Sequence, residues 1–130
     1  MPSHYTWDPS QRILRASFFG VVNNEDLRKL ALDVARDPVI VPPIYELIDL
    51  RSVEEVSADS EGMRFVANVE LTYREKFQGQ RISIIAPTNL LYGMARMYEM
   101  ISSASDTPSE ISVFKTAEEA EAWLVGTNEE

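Results

Sequence analysis

The chain has no cysteine, one histidine and five glycines that stand singly among its 130 residues. Without cysteine there is no disulfide, no thiolate nucleophile and no thiolate metal site, which fits a reducing compartment. His4 is the only histidine, so a Ser-His-Asp triad would depend on a residue of an edge-type strand. No Gly-x-Ser-x-Gly turn presents a serine to it. Gly20, Gly62, Gly79, Gly93 and Gly126 never cluster into a phosphate-cradling loop. Neither a metal site nor a cofactor is expected, and no catalytic residue can be named. Basic residues are also in deficit, 12 against 21 acidic, for a net charge of −9. That field repels phosphate and anionic lipid, so no nucleic-acid partner is expected. No apolar run nears the roughly 20 residues of a membrane span. Met1-Pro2-Ser3-His4-Tyr5 lacks the basic and apolar regions of a secretory signal. A cytoplasmic location follows as the expectation.

What the chain does contain is ordinary globular composition, 45% hydrophobic and 25% charged, enough to build a core without staples. Residues 1–126 are expected to form a single domain, with 127–130 as a frayed tail. Ser3 to Trp7 and Arg12 to Phe19 read as strands. Asp8-Pro9-Ser10-Gln11 between them reads as a tight turn, so the two form an antiparallel hairpin. Apolar residues on both faces of the second strand suggest that it is covered on both sides. After Gly20 the period becomes helical, with Leu27, Leu30, Ala31, Val34 and Ala35 on one face, Asn24 as N-cap and Asp37-Pro38 as the stop. Ile44 to Leu50 is a strand, Ser60 to Phe77 a helix, and Arg81 to Ala86 a short buried strand. Pro87-Thr88 opens a third helix, Ile111 to Phe114 is the last strand, and Thr116 with Glu119 caps a last helix. The order β-β-α-β-α-β-α-β-α predicts an α/β fold with a mixed, mainly parallel five-stranded sheet.

Three groups of residues stand out. The carboxyl ends of parallel strands are where open α/β sheets bind ligands. Asp49, Arg51, Thr88, Asn89, Lys115 and Thr116 should meet there as a candidate anion rim, or serve only as caps and a local ion pair. Of the many acids, only Asp49 stands in a setting that suggests a raised pKa. In the third helix, Leu90, Leu91, Met94, Met97, Tyr98 and Ile101 read as core. Tyr92, Arg96, Glu99 and Met100 then form an outward candidate interaction face. Ser57 and Ser60 precede the second helix and are each suited to cap it.

The segments "FFGVVNNEDLRKL", "YELIDLR", "RISIIAPTNLLYGMARMYEM" and "ISVFKTAEEAEAWL" together resemble the STAS-like superfamily. Within it, the likeness is to the SpoIIAA-like (STAS/SEC14-like) branch related to anti-sigma-factor antagonists. The resemblance implies a mixed sheet with helices and a non-catalytic switch that binds a protein partner. It also implies a phosphorylatable serine opening the second helix in an Asp-Ser-Ser-Gly-like motif. Here that place holds Asp59-Ser60-Glu61-Gly62, which makes Ser60, and Ser57 before it, the candidate phosphorylation sites. Three readings follow: a regulatory domain that meets a protein partner or its own copy, as a homodimer; a carrier or sensor of a small apolar or anionic ligand, held in a cleft under the third helix; and a small enzyme working at the strand-end rim.

Overall fold

The computed structural model describes residues 2–126; the expected tail, 127–130, lies outside them. Strands β1 (Ser3–Asp8) and β2 (Ile13–Val22) are followed by α1 (Asn24–Arg36) and β3 (Tyr45–Val56). Then come α2 (Ser60–Thr72), the short α3 (Arg74–Phe77), β4 (Arg81–Ile85), α4 (Asn89–Ala104), β5 (Glu110–Phe114) and α5 (Ala117–Gly126). The sheet runs β1-β2-β3-β4-β5, with β1 antiparallel to β2 and every other neighbour parallel. This is the expected mixed, mainly parallel α/β fold.

The strand order decides where the helices go. Strands added one after another on the same side, with crossovers of the same right hand, put every crossover helix on one face. Side chains of α1, α2 and α4 accordingly pack on that face, over Leu14, Ala16, Phe18, Ile48, Ile82, Ile84 and Val113. The helix after the last strand, α5, turns to the opposite face, where Ala120 and Leu124 cover Leu47 and Ile85. Ser83 Oγ donates to the Ala120 carbonyl at 2.8 Å, and the Arg81 guanidinium lies 4.1 Å from the Trp123 ring centre. Towards the end of β2 that second face is open, and Phe19 is 40% exposed. The expectation that the second strand is covered on both sides is therefore corrected for its later half: Ile13 is buried and Arg15 pairs with Glu121 of α5 at 3.5 Å, but Phe19 lies beyond this cover.

Local chemistry sets the boundaries. Asp8 Oδ1 accepts from the Ser10 and Gln11 N–H groups, which makes the hairpin turn. The N-cap of α1 is Asn23 rather than Asn24, in a reciprocal capping box with Asp26. Asn24 is free to do something else. Its Nδ2 donates to Asp59 Oδ1 and its Oδ1 accepts the Asp59 N–H, both at 2.9 Å, tying the starts of α1 and α2 together. A Cβ on Gly62 would lie 2.2 Å from Asn24 Oδ1, so the junction requires glycine there. At the other end of α1, Lys76 Nζ donates to the carbonyls of Val34, Ala35 and Asp37 at 2.7–3.1 Å, where a cation meets the negative end of the helix dipole.

Two expected elements change length. The strand expected to end at Leu50 continues to Val56, because its second half pairs with β2 alone, across register shifts at Ser17–Phe19 and Gly20–Val21. The helix expected from Ser60 to Phe77 breaks at Tyr73 into α2 and α3. The bend lets Phe77 turn into the core beneath α1.

Candidate functional site

The three helices do not close completely on the sheet. Between α1, α2, α4 and strands β2–β4 lies a cavity of about 150 Å³, walled almost wholly by aliphatic and aromatic side chains. Leu27, Leu30, Ala31 and Val34 come from α1, Met63, Val66 and Val69 from α2, and Leu91, Met94 and Ala95 from α4. Half-buried Leu50, Val53 and Val56 line it where β3 outruns β4. An apolar space of this size has room for a small hydrocarbon ligand.

At the other end, where the parallel strands begin, the wall becomes polar. Strand alternation places Glu46 on the same face as Ile48 and Leu50, and Glu46 is only 8% exposed. Helical spacing carries Glu70 inward with Met63 and Val66. Tyr98 Oη and Ser109 Oγ donate to Glu70, the latter at 2.9 Å, and Thr107 adds a third hydroxyl. Gln80 Nε2 in turn donates to Ser109 Oγ at 3.0 Å, while Gln80 Oε1 is buried without a partner. No donor reaches the Glu46 carboxyl among the described residues.

The two acids therefore differ in state. Burial, and then the charge of Glu70, push Glu46 up to about 8, so it holds its proton at neutral pH. Burial also raises Glu70, but the three hydroxyls favour its ionised form and oppose the shift. Of the two, Glu70 is the one whose charged form is served by donors. Burial and the Glu70 carboxylate hold the Tyr98 hydroxyl well above the usual tyrosine range. A protonated carboxyl, a carboxylate and an amide facing one apolar cavity can recognise a polar head on a hydrocarbon body.

The rim residues divide into two pairs. Arg51 grips Asp49 through Nε and Nη2 at 2.7–3.1 Å. Hydrogen bonding from Arg51 outweighs partial burial and lowers the Asp49 pKa, which corrects the expectation that Asp49 is the acid with a raised pKa. Lys115 Nζ donates to Asn89 Oδ1 at 2.7 Å and lies over the Tyr92 ring. Thr88 and Thr116 cap α4 and α5 by accepting the Leu91 and Glu119 N–H groups. The rim residues thus satisfy one another. Asp59, not Ser57 or Ser60, accepts from the Glu61 N–H and caps α2. Ser60 is the first helical residue, and its Oγ accepts from Arg64 at 3.2 Å.

The expected face of α4 is rotated. Leu91, Met94, Ala95, Tyr98 and Ser102 turn inward, whereas Leu90 is 67% exposed and Met97 39%. Both had been expected in the core. Tyr92 is half-buried against the sheet, and Glu99 is half-buried and paired with Arg96 at 2.9 Å. The outward stripe consists of Leu90, Gly93, Met97 and Met100 beside Arg96.

Sequence reasoning passed over Glu46, Glu70, Tyr98 as a ligand of Glu70, and Gln80. The signal was present. Ile44, Glu46, Ile48 and Leu50 share one strand phase, and an acid in an apolar phase is a buried acid.

No protein-family model and no curated protein matches the chain. Among solved structures, it is similar to an uncharacterized DUF3478-family protein with a SpoIIAA-like fold from Shewanella loihica PV-4. The two share 21% identity at a TM-score of 0.58, over 94% of this chain and 93% of the other. With the strand order and helix placement described above, the fold of this chain is SpoIIAA-like.

Proposed function

We propose that this protein is a non-catalytic binding domain that takes a small, mostly apolar ligand into the cavity beneath α1, α2 and α4. The observation that carries this reading is the cavity itself: 150 Å³ of apolar space with an unpartnered carboxyl on its floor. Protein interiors normally close such gaps, and a buried polar group without a partner is costly. A site that is open at the cost of stability is a site for something else to fill. Filling it would bridge three helices, and a bridge of that kind is a natural input for a regulatory domain.

Benzene is the simplest probe. Titration into the protein should give saturable amide shifts centred on Leu30, Val69 and Ala95. Ala95→Leu, which fills the space from α4, should weaken binding at least roughly tenfold, as one or two methylene groups of lost room would. Shifts that fail to saturate, or saturate equally in Ala95→Leu, would remove the cavity as a ligand site.

A second reading rests on α4. Leu90, Gly93, Met97 and Met100 repeat at alternating spacings of three and four, the pattern of a helix seam. Methionine-rich exposed faces suit contact with a second helix. We take the partner to be a second copy, meeting α4 to α4, because the stripe carries Arg96 and Glu99 in reach of each other and a twofold contact lets them exchange partners. Sedimentation equilibrium should then show a dimer that Met97→Glu weakens roughly tenfold or more. A wild-type monomer at every concentration, or an unchanged Met97→Glu dimer, would leave only the ligand reading.

A further inference from the structure

We infer that the ligand carries a primary amine on a short apolar body, with its ammonium group seated on the cavity floor between the Glu46 and Glu70 carboxyls. This deepens the reading of the cavity as a ligand site and rests on it.

The floor holds more acceptors than donors. Glu70 already receives three hydroxyl donors, whereas Glu46 receives none and is more than nine-tenths buried. Gln80 Oε1 is a second buried acceptor without a partner. Its orientation is set by the chain of donors beside it, since Ser109 gives its proton to Glu70 and must accept from Gln80 Nε2. A head group that only accepts could take the single Glu46 O–H and would leave Gln80 Oε1 unmet. A hydroxyl offers one donor, and a carboxylate adds a third negative charge. An ammonium offers three donors and one positive charge, which suits two orphaned acceptors beside a carboxylate.

The charged and titratable groups facing Glu46 are Glu70 from α2 and Tyr98 from α4, and the cavity-lining residues of α1 are all apolar. Among the described residues, no cationic side chain lines the cavity. The body of the ligand has a direction as well. From Glu46 to the half-buried Leu50, four residues of strand span about 13 Å, the length of a short alkyl chain plus its head. A net charge of −9 favours the approach of a cation and opposes that of an anion.

Binding is balanced in protons. At neutral pH the free protein holds a proton on Glu46 and the amine is in solution as its ammonium form. Once the ammonium is seated, Glu46 ionises, and its proton leaves to the buffer.

Hexylamine, hexan-1-ol and hexanoate share a chain and differ in the head. Calorimetric titration at pH 7 should show hexylamine binding at least tenfold more tightly than hexan-1-ol, with hexanoate weakest. Titrations in buffers of different ionisation enthalpy should report about one proton released per hexylamine bound and none for hexan-1-ol. Glu46→Gln, which keeps shape and removes the charge, should bring hexylamine down to the level of hexan-1-ol and abolish the proton release. Equal binding of hexylamine and hexan-1-ol by the wild type, or hexylamine binding without proton release, would overturn the amine while leaving the cavity reading intact. Failure of all three compounds, and of benzene, would overturn both.

Discussion

Glu46→Gln should be more stable than the wild type, and increasingly so as the pH rises. Glu46 keeps its proton to about 8 in the folded chain, against an ordinary glutamate near 4.5. Folding therefore takes up a proton across that interval. The wild-type stability linked to Glu46 is whole below about 4.5 and is lost as pH rises through 8. At 1.4 kcal/mol per unit, the loss at pH 8 is on the order of 4 kcal/mol. Glutamine cannot ionise, and it replaces a neutral carboxyl of the same size. The advantage of the variant should grow from under about 1 kcal/mol at pH 5 to several kcal/mol at pH 8. Asp37, Asp49 and Asp59, all held low by hydrogen bonds, give the opposite slope in acid. They are common to both proteins and cancel in the difference. Urea unfolding of both proteins at pH 5, 6, 7 and 8 measures it, and two parallel curves would show that Glu46 is not buried as a protonated acid.

Tyr98→Phe should do the reverse. It removes one of three hydroxyls from the Glu70 carboxylate and leaves a buried charge underserved. A hydrogen bond to a charged group contributes about 1.5–3 kcal/mol, and the loss should sit near the top of that range, because the ring and its packing are otherwise kept. Tyr98→Phe in a Glu70→Gln background should cost under about 1 kcal/mol, since a neutral amide needs the donor far less. Urea unfolding at pH 7 of the four proteins in this cycle gives the coupling. Equal costs in both backgrounds would show that the phenol serves packing alone.

Much of the architecture was legible in the residues because it rests on local rules. The turn at Asp8, the period change after Gly20, the capping threonines at 88 and 116 and the β–α alternation each follow from spacing and side-chain chemistry within a few residues. The rim residues stand in β3 level with the end of β4, and at the starts of the helices that follow β4 and β5. There Asp49 pairs with Arg51 and Asn89 with Lys115.

Other features needed the third dimension. The apolar residues of α4 are numerous enough that two faces satisfy the 3.6 period. Tyr98, which reaches Glu70 on α2, is inward on both; packing against the sheet separates them, with Ala95 and Ser102 buried and Leu90 and Met97 exposed. The same holds for the buried acids. Position 46 could be recognised as an inward phase, but the absence of any donor for it depends on what α1, α2 and α4 bring to the site. Composition and periodicity determined an acidic, cysteine-free α/β chain with a mainly parallel sheet. The cavity and its carboxyl floor were decided by tertiary structure, because an unfilled volume belongs to no residue and exists only where several elements fail to meet.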